Sequence, residues 1–268
     1  MSRPIASRAV AVRLLAGVTL LGAFGCKKDP DPIKETAPPP AISQQKVAAG
    51  QQRFVIGPLG KTTIDIDAPL ERFKGETTMM SGEFRIDLAN LKSSIGEVDA
   101  DLEGLRTFTF GDDKDKDQTE HAHNWFEIGD EGKDSVKNTD PQKFADYKLA
   151  HFYIDQIDET SVPALKDAPL KDGARVVTFK ATDRLRVHGR DAKKTVRVEV
   201  TFVGPVEAPT ELKFKTLEPV IASLSEHDVK PRDAAGKFLD GTLKAVGKKL
   251  DDKAQVQVEG TAKPAADK

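Results

Sequence analysis

"TVRVEVTFVG", residues 195–204, sets the reading of the whole chain. Val196, Val198, Val200 and Phe202 alternate with Arg197, Glu199 and Thr201. Successive side chains of an extended backbone point to opposite sides, so strict alternation puts the apolar set on one face and the polar set on the other. One face is buried and the other meets water. The same period recurs at Ile64 and Ile66, at Phe84, Ile86 and Leu88, and at Val98, Ala100 and Leu102. It continues at Phe152 and Ile154, at Val177, Phe179 and Ala181, and at Leu185 and Val187. Leu212 with Phe214 and Val256 with Val258 complete the series. One-sided alternation marks antiparallel sheets, because parallel strands covered on both faces read as continuous apolar runs. The pattern therefore speaks against a parallel α/β enzyme fold. Helical periodicity is confined to short candidates near "DPQKFADYKLA" (140–150) and "PVIASLSEHD" (219–228). An all-β class follows, in which so many antiparallel strands either stack as a sandwich or close on themselves to remove their edges.

Upstream of these strands the chain changes character. Arg3, Arg8 and Arg13 precede an apolar run from Leu14 to Leu21, and the short stretch Gly22 to Gly25 leads to Cys26, the only cysteine. The run is too short to span a bilayer, which takes roughly 20 apolar residues, and it reads as an export signal. With a cysteine where cleavage falls, the segment resembles a bacterial lipoprotein signal, although Ala23 and Phe24 occupy positions where that pattern prefers other residues. On this reading residues 1–25 are the signal peptide and Cys26 becomes the lipid anchor of an extracytoplasmic protein, held at the periplasmic face or the outer membrane. "KKDPDPIKETAPPPAISQQKVAAG" (27–50) is rich in Pro, Lys, Asp and small residues. It has too few large apolar side chains to offset its ordering entropy. Residues 26–50 are thus expected to be the lipidated cysteine and a disordered linker with a reach of about 25 to 30 Å. The folded domain is expected over 51–264, with a tail at 265–268.

Composition narrows the function. The chain has 43 acidic and 41 basic residues, a formal charge of -2, which argues against a nucleic-acid partner, since such proteins carry a basic patch or stripe. His121 and His123 stand two apart and on a strand would point the same way, but His151, His188 and His227 are isolated and there is no "HExxH". Solvated loop histidines are the expected account, with no metal site. The run "DDKDKD" (112–117) lacks the spacing of a calcium loop and reads as a solvated loop. No "GxSxG" elbow and no phosphate-binding loop occur. The sequence therefore points to no catalytic residue and no cofactor.

Several motifs, taken in order, carry a family resemblance. "GETTMMSGEFRIDLANLKSSIGEVDADLEGLRT" (75–107) resembles the opening of YceI-like proteins through Gly82, Phe84 to Leu88, Asn90 with Leu91, Ser93 with Ser94, Asp101, Leu105 and Thr107. "NWFEI" (124–128), "FADYKLAHFYI" (144–154), "LRVHG" (185–189) and "LSEHDVKP" (224–231) resemble later motifs of the same family. The chain departs from the pattern at the hairpin "HGRDAKKTV" and in the longer, more charged stretch 111–142. The resemblance implies a lipocalin-like antiparallel barrel of about eight strands, with one or two short helices and a polyisoprenoid or similar amphiphile in its lumen. An eight-stranded barrel is just wide enough either to be filled by side chains or to hold one small ligand. If it is hollow, the inward residues expected to touch a lipid tail are Phe84, Phe110, Phe152, Phe179, Val198, Val200 and Phe202. The function expected is that of a membrane-tethered, non-enzymatic carrier or sequestering protein. The alternative is an envelope scaffold or stress module with a barrel filled by its own side chains.

Overall fold

The computed structural model describes residues 32–67, 72–111, 113–130, 135–230 and 252–265. Its strands are β1 (Gln51–Ile56), β2 (Lys61–Ile66), β3 (Phe73–Thr77), β4 (Met80–Asp87), β5 (Ile95–Asp101), β6 (Arg106–Thr107) and β7 (Leu149–Ile154). They continue as β8 (Glu159–Thr160), β9 (Leu170–Lys171), β10 (Ala174–Val187), β11 (Arg190–Val203), β12 (Glu211–Thr216), β13 (Val220–Ser223) and β14 (Lys253–Pro264). Two α-helices are present among the described residues, α1 (Lys114–Trp125) and α2 (Pro141–Tyr147).

The stretch 195–204 lies in β11 and its terminal turn, and β11 pairs with β10 from Val187↔Arg190 to Ala174↔Val203. The two-residue turn between them has φ of 49° at His188 and 75° at Gly189. Two successive left-handed residues match the right-handed twist of the flanking strands, so the hairpin stays tightly registered. From this hairpin the sheet runs β1-β4-β5-β7-β10-β11-β12-β14, and β14 returns to β1 through Phe54↔Pro264, Val55↔Lys263 and Ile56↔Ala262. The chain thus forms a closed antiparallel barrel of eight strands. Closure, not stacking, removes the sheet edges.

The two ends of the barrel differ. At one end Phe54, Leu91, Leu165, Val177, Phe202 and Leu212 are all essentially without exposure. The Leu91 N–H donates to the Pro163 carbonyl (2.9 Å) and the Leu165 N–H to that of Leu88 (2.8 Å), which draws both loops over this end. At the other end β14 runs past the ring and carries β2, β3, β6 and β13 as an extension. Helix α1 closes against that extension: Thr107 Oγ1 lies 3.0 Å from Thr119 Oγ1, and the rings of Phe73 and Trp125 are 5.6 Å apart.

Four expectations are corrected here. Residues 219–228 form β13 and a turn instead of a helix, because Val220 and Ala222 are buried while Ile221 is exposed, a period of two. Residues 114–117 of the charged run open α1, whose first turn carries Asp115 and Asp117, favourably placed against the helix dipole. His123, His188 and His227 are buried, not solvated. Finally, residues 32–50 lie against the barrel. The Ile33 N–H donates to the Glu226 carbonyl (2.8 Å) and the Thr36 N–H to that of Gly189 (3.1 Å). The Ile42 N–H donates to Glu97 Oε2 (2.8 Å). What ties this segment down is charge on the outer face of the sheet. Arg186 is fully buried, donates to both carboxylate oxygens of Asp146 (2.8 and 2.7 Å) and gives a further bond to the Thr36 carbonyl (2.7 Å). Arg85, equally buried, pairs with Glu83 at 2.8 Å and donates to the Ile42 carbonyl. Composition alone did not show this, because the segment is held mainly by polar contacts of its backbone and of Glu35 and Thr36, with Ile42 its one buried large apolar side chain. The lipid-anchor expectation at Cys26 lies outside the described residues, as does residue 231 of the last family motif.

Candidate functional site: the barrel lumen

The inward faces of β4, β5, β7, β10, β11, β12 and β14 surround a cavity of about 120 Å³. Of the residues expected to face a ligand, Phe84, Phe152, Phe179, Val198 and Val200 line it. Two do not. Phe110 is 44% exposed in the turn before α1, with Lys114 Nζ 5.7 Å from its ring centroid; it belongs to no strand, so the alternation argument never applied to it. Phe202 points inward but sits beyond the cavity in the packed end, 1% exposed and 6.5 Å from Phe179. Phe214, Val256 and Val258 line the cavity as well. Their alternation is plain in the sequence, and only the choice among inward residues left them out.

The lumen is not filled: Phe84, Val98, Phe152, Val198, Val256 and Val258 face it and are only half-buried, while other lining residues such as Phe179, Val200 and Phe214 are buried. Inward side chains at mid-strand in a filled barrel would be as fully covered as Phe54 or Phe202. Phe84 from β4 and Phe214 from β12, both on the cavity wall, meet edge to face with centroids 5.1 Å apart. Each lies over a glycine of a neighbouring strand. A Cβ on Gly96 would stand 2.6 Å from Phe84, and one on Gly260 2.7 Å from Phe214. The glycines therefore let the rings lie back against the wall, which keeps the lumen open.

A second cavity of about 60 Å³ lies toward α1 and is bordered by Phe73, Trp125, Phe126 and His227 among others. Thr62, Ala150, Leu185 and Val256 border both spaces, so the chambers adjoin. Among the described residues no Lys, Arg, Asp or Glu borders either chamber. The larger chamber is on the scale of the roughly 150 Å³ apolar cavities that stay dry and take up a benzene ring.

Burial governs His227 on the smaller chamber and the buried histidines His123 and His188. His227 has its pKa pushed down to about 4, chiefly by desolvation and against the pull of the Arg190 carbonyl. His188 and His123 are lowered for the same leading reason. Neutral imidazole is the form these sites accept. Among the described residues no three His, Cys, Asp or Glu side chains gather as a metal site. His121 and His123 lie on α1, where residues two apart do not share a face.

A closed antiparallel barrel around a lumen that no charged side chain borders among the described residues is a lipocalin-like architecture. The barrel implied by the YceI-like resemblance is the one that this chain forms. Among solved structures, the chain is similar to a polyisoprenoid binding domain from Saccharophagus degradans implicated in plant cell wall breakdown, at 11% identity and a TM-score of 0.48, over 80% of this chain and 99% of that one. It is also similar to BcnA of Burkholderia cenocepacia, at 17% identity and a TM-score of 0.44, over 75% of this chain and 95% of that one. No family model matches the sequence. No curated protein matches it either.

Proposed function

We propose that this protein binds an amphiphile by its apolar tail inside the barrel and serves as a carrier or sequestering protein, not as an enzyme. The observation that carries this reading is the unfilled, charge-free lumen: burial of apolar surface there gains roughly 25 cal/mol per Å², and an ionised group brought inside would find no partner. The YceI-like resemblance points to a polyisoprenoid or a related lipid as the tail. The reading extends to the membrane. Cys26 carries the lipid anchor, and the protein works on the extracytoplasmic side. If so, a radioactive fatty acid labels the wild type, and Cys26→Ala moves the protein to the soluble fraction without unfolding it. Absence of label on the wild type contradicts the anchor.

Val200→Phe tests the lumen. Val200 faces the larger chamber, so an added ring takes up space that a ligand needs. The expected result is weaker retention of a fluorescent isoprenoid analogue with little change in melting temperature. A scaffold with a filled barrel gives the reverse: no analogue to lose, and an overpacking cost of about 1–3 kcal/mol.

A further inference from the structure

The segment that leads into β1 is clipped to one end of the barrel. Its first ties fall at two neighbouring turns: the Ile33 N–H donates to the Glu226 carbonyl (2.8 Å), just past β13, and the Thr36 N–H to that of Gly189 (3.1 Å), between β10 and β11. Side chains reinforce the second tie. Glu35 accepts from Lys143 Nζ (2.9 Å) and from the Tyr147 hydroxyl (3.2 Å), while Thr36 Oγ1 donates to Asp191 Oδ2 (3.0 Å) and accepts from Arg186 (3.0 Å). The two turns are themselves joined, His227 Nδ1 donating to the Arg190 carbonyl (3.0 Å) and Lys194 Nζ to Glu226 (2.8 Å).

This clip shortens any tether that starts at Cys26. Seven peptide steps lead from Cys26 to Ile33 and reach at most about 25 Å, whereas a tether free up to Gln51 reaches about 85 Å. Strand β10 has 14 residues, which is about 45 Å at 3.3 Å per residue and about 35 Å along the axis at the usual tilt of barrel strands. With Cys26 at the bilayer surface, the clipped end cannot stand far enough away for the packed end to touch the bilayer.

Register puts two exposed aromatic rings at the clipped end as well. Ala254 of β14 pairs with Ala222 of β13 and with Ile66 of β2, and Ile66 pairs with Phe73 of β3. The chain leaving β6 runs along β3 toward Phe73, the Phe108 N–H donating to the Lys74 carbonyl (2.9 Å). Phe108 and Phe110 on this stretch are 48% and 44% exposed, with Lys114 Nζ 5.7 Å from the Phe110 ring centroid. Aromatic rings and lysine stems of this kind partition into the headgroup layer of a membrane.

We propose that the end of the barrel carrying the β10–β11 turn, the turn after β13 and the Phe108–Phe110 stretch faces the bilayer that anchors Cys26, with the two rings at the headgroup layer. The proposal rests on Cys26 being lipidated. It turns the smaller chamber, bordered by Phe73, Leu224 and His227, toward the membrane and the packed end away from it. An amphiphile leaving the bilayer then meets the barrel from the side of the smaller chamber.

Energy transfer to the membrane tests this orientation. Lys193, near the β10–β11 turn, and Lys171, beside the start of β10, are both exposed and lie about 33 Å apart along β10. The full-length lipoprotein carrying Lys193→Cys or Lys171→Cys is labelled with a donor dye and placed in vesicles of phosphatidylethanolamine and phosphatidylglycerol that hold an acceptor on a headgroup. Quenching is expected to be several-fold stronger at position 193 than at 171. Glu35→Ala with Thr36→Pro opens the clip and lowers this ratio toward one. Phe108→Ser with Phe110→Ser leaves the clip as it is and also lowers the ratio. Equal quenching at the two positions, stronger quenching at 171, or a ratio that neither pair of substitutions changes overturns the proposal. Fatty-acid label is read on the same samples: a labelled protein with equal quenching overturns the orientation alone, whereas an unlabelled one removes the anchor and the proposal with it.

Discussion

Val177 and Val198 lie on adjoining strands and differ in what faces them. Val177 is fully buried in the packed end, whereas Val198 borders the void and is half-buried. The same truncation therefore has different consequences. Val177→Ala removes packed methyl groups and leaves a hole, costing about 2–3 kcal/mol, while Val198→Ala enlarges an existing hole and costs under about 1 kcal/mol. Urea titrations of both variants measure this, and equal losses would mean that the lumen is filled. The histidines give the other test at this scale. The unfolded imidazole protonates near pH 6.5, while folded His227 does so at about 4. Between those values the unfolded chain binds more protons, so stability rises with pH across this window and is lost as pH falls through it. His123 and His188, lowered in the same direction, add to the slope. Glu97, raised by burial, acts in the opposite sense, favouring the folded state when it is protonated. His227→Asn should flatten the profile by up to about 1.4 kcal/mol per pH unit. An unchanged slope in denaturation curves between pH 6.5 and 4 would show that His227 does not titrate as its burial requires.

At the scale of elements, the segment 32–50 is held to the outer face of the barrel by arginines that have no access to water. Asp146, in α2, supplies the bidentate partner of Arg186. Asp146→Ala leaves a buried guanidinium with less compensation, and the expected loss is about 3–5 kcal/mol. Arg184 instead pairs with exposed Asp155 at 2.6 Å, and Arg184→Ala should cost under about 1 kcal/mol. Because Arg186 also holds the Thr36 carbonyl, Asp146→Ala should hasten proteolysis between residues 32 and 50 before the barrel itself is cut. Limited proteolysis with mass mapping checks this, and a barrel cleaved first would show that the segment is held by something else.

For the molecule as a whole, strands were legible where one face is apolar and the other polar. The pattern at Val177, Phe179 and Ala181 and at Val196 to Phe202 gave both strands of the long hairpin and their buried faces. Closure into a barrel was not legible from alternation, since a sandwich alternates equally, and it entered through the family resemblance. Helix α1 was missed because its exposed face is almost entirely charged and its buried residues are mostly polar (Gln118, Thr119, His123 and Asn124), with only Ala122 and Trp125 apolar, too few to set a period. The lumen was half legible: alternation tells which side chains point inward, but not where packing stops and space begins, so Phe202 and Val200 looked alike. Thr62 was missed because it is polar, although the alternation through Ile64 and Ile66 already puts it on their inward face.

The central claim is that the lumen is built to be occupied by an apolar chain. Native mass spectrometry of the protein purified without detergent, followed by organic extraction, tests this most directly. The account predicts a bound species of defined mass, extractable into organic solvent and lost from Val200→Phe. Wild-type protein that carries no extractable lipid, and takes up none when the delipidated barrel is offered farnesol or farnesene, would contradict it.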